Sequence, residues 1–488
     1  MDSRYISRRH WLRKSSFSLG SIAFPWLLGH EGLLAENTET GPLKPELNPT
    51  SHDLNPKTPP ANPKARAMIS MYMLGGPSQI DLFDPKPELV RLNGQQFQGH
   101  LKFDNAAQAS REIMGPGWKF SRHGQSGMEI SELLPHLGTI ADEITLIRSM
   151  RTSSNNHVPS NFALTTGKPV HGRPVLGSWL LKALGSETQN LPAYVALTDP
   201  RGLPQEGSEN WSQGKLPAIY QGTVVRPTDP RIFNLNAAPH LKGIPQKAQL
   251  DFLENFNRMH LQKHPNETEL EARLASYGLA ARMQEAAKEA FDISGESPAI
   301  KAMYGIDNKR TSDYGTRCLI ARRLVERGVR FVQIFCAGQN WDHHGSIKTA
   351  LPDRCGEIDQ PATALIKDLK QRGLLDSTIV HWGGEMGRLP VIQFRNGLND
   401  RNTVGRDHNT YGFSQWVAGG GFRKGYTHGL TDEFSHHAID GVVNHYDWLA
   451  TILHLFGLNH KELKFRSGPR DIKLVEESHA RVVHELLS

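Results

Sequence analysis

From Ala67 onward the chain reads as short apolar runs of strand length, separated by longer stretches whose apolar positions recur at helical spacing. The runs beginning at Ala67 (MISMYML) and at Ile144–Ile147, Ala193–Leu197, Val329–Phe335, Thr378–Trp382 and Gln415–Ala418 predict strands, each bounded by glycine, proline or polar residues. The spacing predicts helices over Ile130–Ala141, Pro174–Leu184, Gln249–Leu261, Glu267–Phe291, Asp313–Arg327 and Ile358–Gln371. Pro174 suits a first helical turn, where its missing N–H would be unpaired anyway. Arg322 and Arg323 fall on the polar side of their helix. Strand and helix in alternation imply a largely parallel sheet covered by helices on both faces. Residues 200–247 are irregular and rich in Gly and Pro, and with the two long helical stretches after them, 200–310 reads as a helical insertion or cap on that sheet.

Several of these strands end in the same way. Val329–Phe335 runs into Cys336-Ala-Gly-Gln-Asn-Trp-Asp342-His343-His344-Gly345, and Thr378–Trp382 into Gly383-Gly-Glu385-Met-Gly-Arg388. The first strand is followed by Gly75-Gly-Pro-Ser-Gln-Ile-Asp81, and Gly405-Arg406-Asp407-His408-Asn409 precedes the last apolar run. In open α/β sheets substrates collect at the carboxyl ends of strands, so carboxylates and imidazoles there point to one site assembled from several loops. Asp342, His344 and His408 are expected to share one divalent metal. Asp81 reads equally as a ligand or as a turn residue before Pro85. The loop Arg151 to Lys168 opens a short helix, where His157 or Ser160 could act as an acid/base group or nucleophile, or where Ser and Asn simply cap the helix.

The first residues carry an address. Arg8-Arg9 precede a bulky apolar position and then a short apolar region, Phe17–Leu28, which fits a twin-arginine export signal over residues 1–35. That region is interrupted by Pro25 and falls short of the about 20 apolar residues a transmembrane anchor needs. Residues 36–66 are rich in Pro, Asn and Thr and predict a flexible tether. The folded body is expected over 67–488.

Of the 488 residues, those in the signal account for half of the formal charge of +6, leaving about +3 dispersed over the rest, too little for a nucleic-acid partner. Three cysteines, Cys318, Cys336 and Cys355, show no C-x-x-C spacing and read as buried thiols.

The stretch His157 to Lys168, H-V-P-S-N-F-A-L-T-T-G-K, resembles the sulfatase motif C-x-P-S-R-x-x-L-x-T-G-R, and Asp447-Trp-Leu-Ala-Thr-Ile-Leu-His-Leu-Phe-Gly457 resembles the D-x-x-x-T-x-L-x-x-x-G helix of that superfamily. The segments GGPSQIDLFDPKP, GSWLLKALGSETQNLP, ARRLVERGVRFVQ, WDHH, DLKQRGLLDSTIVHWGGEMGR and GRDH resemble the exported bacterial family called domain of unknown function 1501, over roughly 67–487. That resemblance implies an alkaline phosphatase-like α/β/α sandwich whose strand-end loops hold one or two metals beside a phosphate or sulfate ester. It places Asp81, Asp342, His344, Glu385, Asp407 and His408 as metal ligands. The chain departs from the pattern at Gln79, at Glu385 where an Asp-His pair usually follows the strand, and at His157. Imidazole cannot become formylglycine, which excludes the sulfatase nucleophile at that position.

The expected protein is an exported hydrolase of a small-molecule or glycan ester. Zinc, manganese or iron suits a mixed carboxylate and imidazole set, calcium only one dominated by carboxylates. Arg388 or Arg406 is expected to grip the substrate anion in a bidentate fashion. The different-class alternative is a non-catalytic binding or surface-assembly protein on the same fold.

Overall fold

The computed structural model describes residues 54–104, 110–232, 246–263, 268–394 and 400–488. The expected export signal and the first part of the tether lie outside them. Residues 54–66, the end of that tether, run along the body and are pinned to it by backbone bonds such as Lys57 N to Leu184 O (3.0 Å) and Lys64 N to Leu455 O (2.8 Å). No helix among the described residues is long and apolar enough to cross a membrane.

The architecture is an α/β/α sandwich around a nine-stranded sheet. Its strands are β1 (Ala67–Tyr72), β2 (Ile144–Arg151), β3 (Tyr194–Leu197), β4 (Thr223–Val225), β5 (Phe331–Phe335), β6 (Thr378–Gly383), β7 (Phe413–Ala418), β8 (Tyr426–His428) and β9 (Val443–Asn444). They run in the order β8-β2-β7-β6-β1-β5-β3-β4, with β9 also on β2. Strand β1 lies between β5 and β6 in parallel, with Met68 opposite Phe331 and Ile379. Only β7 is reversed, antiparallel to both β2 and β6. Strand β4, from inside the expected insertion, extends the sheet at its edge.

The period-2 alternation of the strands sorts side chains onto two cores. Ile69 and Met71 of β1 face one core, shared with the helices α5 (Ser312–Glu326) and α6 (Ile347–Gln371); Met68 and Tyr72 face the other. The second core is covered by α1 (His157–Thr166), α2 (Leu176–Leu184) and α7 (His445–Leu455). Two further helices, α3 (Gln246–Lys263) and α4 (Thr268–Phe291), form the helical insertion; the end of α4 docks on the first core through Met283, Ala287 and Phe291.

Three elements differ from the sequence reading. Ile130–Ala141 is not one helix: Met128–Ser131 pairs antiparallel with Phe120–His123, and a single turn follows at Pro135–Gly138. Pro135 starts that turn, and the Asp359 carboxylate from α6 accepts the N–H groups of His136 (2.7 Å) and Leu137 (2.8 Å), so a distant element completes it. Helix α6 begins at Ile347 and runs through Pro352 and Pro361. Its buried stripe Ile347, Leu351, Cys355, Ile358, Ala362, Leu365 and Leu369 outweighs the backbone bonds the prolines remove. Arg322 is not on a solvated face; it is buried between Glu296 (2.7 Å), Glu326 (2.8 Å) and Asp368 (2.9 Å). The three cysteines are buried and unpaired, and burial raises the Cys336 thiol to about 11.

Candidate metal centre

The reversal of β7 decides where the site lies. In the parallel strands β1, β2, β5 and β6 the segments after the strand emerge at one edge of the sheet, whereas in β7 it is the segment before the strand that starts there. His408, five residues ahead of β7, therefore meets Asp342 and His344 after β5, Glu385 after β6 and His157 after β2. One ligand atom from each of His157, Asp342, His344 and His408 lies within 4.8 Å of the others.

The orientation of the rings carries chemical information. Asp342 Oδ1 has His344 Nε2 at 3.0 Å, His157 Nε2 at 3.3 Å and His408 Nε2 at 3.4 Å. Each ring is held from behind through Nδ1: His157 against Glu385 Oε1 (2.5 Å), His344 against Gln393 Oε1 (2.5 Å), His408 against the Asn155 carbonyl (2.9 Å). With acceptors behind, Nδ1 is the donor on each ring and the Nε2 atoms point at a common place. Metal-ligating histidines are oriented this way by carboxylate, amide or carbonyl partners. His157 Nε2 is also buried without a hydrogen bond, which leaves a polar atom to be satisfied. The residues present thus fit a divalent ion.

Electrostatics follow from the same contacts. Burial by itself disfavours the charged form of Asp342, yet Arg388 at 2.7 Å and the surrounding imidazoles hold its carboxyl well below the usual carboxylate range. For His157 burial pulls downward, and the adjacent Asp342 and Glu385 carboxylates outweigh it, raising the ring to about 9. Burial is the largest cause for His408 and moves it down, helped by Arg388 and its neighbouring histidines. His343, between Asp342 and His344 in sequence, is in neither grouping: buried near Trp341, with neither ring nitrogen hydrogen-bonded, it is lowered by burial to about 3.

The remaining residues of the sequence reading have other places. Asp81 is not brought to the cluster. Its two oxygens pair with Arg406 Nε (2.9 Å) and Nη2 (3.2 Å) and accept the Ser78 hydroxyl (2.6 Å) and Gly117 N–H (3.0 Å), and Asp81, Arg406 and Ser78 are all buried. Arg406 spends its other N–H groups on the carbonyls of Met114 and Gly115, both at 2.8 Å. Arg388 likewise donates to Gly76 O (2.9 Å), Arg406 O (3.1 Å) and Gly75 O besides Asp342. Neither guanidinium is free to grip an anion. Glu385 stands behind His157 and accepts the Gly75 N–H (2.9 Å), so it orients that imidazole and lies outside both groupings that could hold an ion. The Ser160 hydroxyl donates to Glu385 O (2.8 Å) and pairs with the Thr152 hydroxyl (2.9 Å), which places it as a brace for that loop. Asp407 accepts the N–H groups of His408 (2.8 Å) and Asp104 (3.0 Å). It shares a second possible grouping with Asp104, His344 and His408, again within 4.8 Å. Gln393, Asn155 and Asp104 went unread because an amide, a carbonyl and an isolated aspartate carry no spacing signal.

The described residues thus form an α/β/α sandwich with three backed imidazoles and a carboxylate at its strand-end edge, a candidate metal centre. The family model described as protein of unknown function (DUF1501) matches residues 65–487, and the chain belongs to that family. No curated protein sequence matches it. Among solved structures the chain is similar to an alkaline phosphatase superfamily protein from Vibrio parahaemolyticus at 12% identity, covering 91% of this chain and 76% of that one, TM-score 0.35. It is similar to the phosphonate monoester hydrolase SpPMH from Silicibacter pomeroyi at 12% identity, covering 72% and 71%, TM-score 0.32. It also matches the sulfatase PsFucS1 from Pseudoalteromonas sp. at 16% identity, covering 67% of this chain but 62% of that one, TM-score 0.30. At these identities nothing about activity passes from them to this chain.

Proposed function

We propose that the protein is an exported, divalent-metal-dependent hydrolase of phosphate or sulfate esters carried by a small molecule or glycan. The observation that carries this reading is the set of three imidazoles, each fixed through Nδ1 and each presenting Nε2 to Asp342 Oδ1. His157, Asp342, His344 and His408 would hold the ion, and a donor set rich in nitrogen favours zinc, manganese or iron over calcium, which takes six to eight oxygens. When bound, such an ion supplies Lewis-acid polarisation of the ester and activates water near neutral pH. The chain's own part is orientation: Glu385 fixes His157, Gln393 fixes His344, and Arg388 keeps Asp342 ionised and in place. Ser160 and Ser78 both donate their hydroxyl protons within the fold, which supports water as the attacking group.

The test is metal analysis of full-length protein recovered from the periplasmic fraction, followed by a screen of generic phosphate and sulfate esters. We expect about one tightly held divalent ion per chain and ester turnover that a chelator removes and the ion restores. Metal-loaded protein without any ester turnover would favour the binding-protein alternative, and recovery of the mature chain only from the cytoplasm would overturn export.

A further inference from the structure

Glu385 reaches His157 from a loop with little stiffness of its own, since Gly383 and Gly384 precede it and glycine restrains the backbone least. What fixes the loop lies on either side of Glu385. The carbonyl before it, Gly384 O, accepts the Gln415 amide N–H (2.8 Å), and its own carbonyl accepts the Ser160 hydroxyl (2.8 Å). With both neighbouring peptide groups pinned, the direction of the Glu385 side chain is set, and its Oε1 meets His157 Nδ1 at 2.5 Å. A Cβ on Gly383 would stand 2.4 Å from Gln415 Cγ, so only glycine lets the Gln415 side chain lie this closely on the loop.

Behind Gln415 the hydrogen bonds continue through the sheet. Gln415, on β7, is fully buried, and because its amide nitrogen serves Gly384, its Oε1 is left to face His381 Nε2 on β6 (3.3 Å). That makes Nε2 the donor on this ring and Nδ1 the acceptor, and the Ser70 hydroxyl on β1 donates to it (3.0 Å). Ser70 and His381 are register partners on adjacent parallel strands. Both line a cavity of about 20 Å³, so packing does not hold the ring on every side and its orientation rests on these bonds. The donors run in one direction, from Ser70 to His381 to Gln415 to Gly384 O, an arrangement in which buried hydrogen bonds strengthen one another.

We propose that Gln415 and His381 are positioning residues of the candidate metal centre, holding the loop after β6 so that the Glu385 carboxylate stays against His157 Nδ1. Neither belongs to a grouping that could hold an ion, and both act through Glu385. The inference rests on the reading of His157 as a metal ligand and is independent of ester hydrolysis.

The experiment reads the orientation of His157 and the affinity for metal separately. In metal-free full-length protein, the His157 Nδ1 proton should give a downfield proton NMR signal, assigned by its absence from His157→Ala. We expect Gln415→Met, which keeps the volume and loses both hydrogen bonds, to shift or broaden that signal and to lower zinc affinity, measured by chelator competition, by about tenfold. In a Glu385→Gln background the same substitution should add no more than about twofold, because the two changes remove one arrangement. If Gln415→Met does not fold, Ser160→Ala, which frees the peptide on the other side of Glu385, is read in the same way. An unchanged His157 signal in a folded variant, or zinc losses that multiply fully in the double variant, would overturn the inference. A parent that binds no zinc, but whose His157 signal depends on Gln415, would support the positioning and count against the metal reading alone.

Discussion

Asp342 concentrates most of the site's electrostatics on one oxygen atom, approached by three imidazole nitrogens and the Arg388 guanidinium. Such a carboxylate is stable only if its partners are themselves fixed, and the residues that fix them are the ones to test. Glu385 is fully buried and bonded to His157 Nδ1 and to the Gly75 N–H. Glu385→Gln should keep the shape and remove the charge behind His157. Zinc affinity, measured by chelator competition, is expected to fall about 10- to 100-fold, the usual cost of removing an outer partner of a metal histidine. An unchanged affinity would mean that His157 needs no orientation from behind. At this scale Asp342, His344 and His408 were legible, since their residue types and glycine-flanked loops announce ligands. Asp81 has the same appearance in sequence, but its partner Arg406 lies 325 positions away, and nothing local shows that the pair neutralises itself inside the core.

Between elements, the cluster depends on how closely two loops approach. Gly75, after β1, has φ +111°, and a Cβ there would stand 2.4 Å from the Asp342 backbone nitrogen and 2.8 Å from Gln339 O. Only glycine allows the loop after β1 to lie directly on the loop after β5, and the same residue supplies the N–H that Glu385 accepts. Gly75→Ala is expected to cost about 2 kcal/mol or more in unfolding free energy from the backbone conformation alone, and to displace Asp342 so that metal stoichiometry falls below one. Full metal loading in this variant, by elemental analysis, would show that the approach is not needed. Helix α6 makes the complementary point about element boundaries. The helical spacing predicts a helix beginning at Ile358, but the buried stripe carries it from Ile347 through Pro352, because tertiary burial exceeds what a lost backbone bond costs.

For the whole molecule, two cores on either side of a sheet bury polar groups that water would otherwise solvate. His381 on β6 is among them, 3.0 Å from the Ser70 hydroxyl and 3.3 Å from Gln415 Oε1, with Trp448 packed on its ring. Burial lowers it to about 4, against which the Gln415 bond works weakly, and burial also lowers His436 to about 4. Both native states favour the neutral ring, so this stability is fully present above pH 6.5 and is lost as pH falls toward 4, by about 1.4 kcal/mol per pH unit for each group. Urea unfolding at pH 7 and pH 5 should show the decline, and His381→Gln, which cannot titrate, should show a shallower one. Parallel declines in parent and variant would remove His381 from the account. The sequence by itself determined the alternation of strand and helix, the parallel bias of the sheet and which loops bring carboxylates and imidazoles, because periodicity and residue chemistry are local properties. Only the tertiary structure decided that β7 runs backwards and so delivers His408 to the same edge as Asp342. It alone also consumed Asp81, Arg388 and Arg406 internally, because pairing between charges is set by distance in space, which no local pattern encodes.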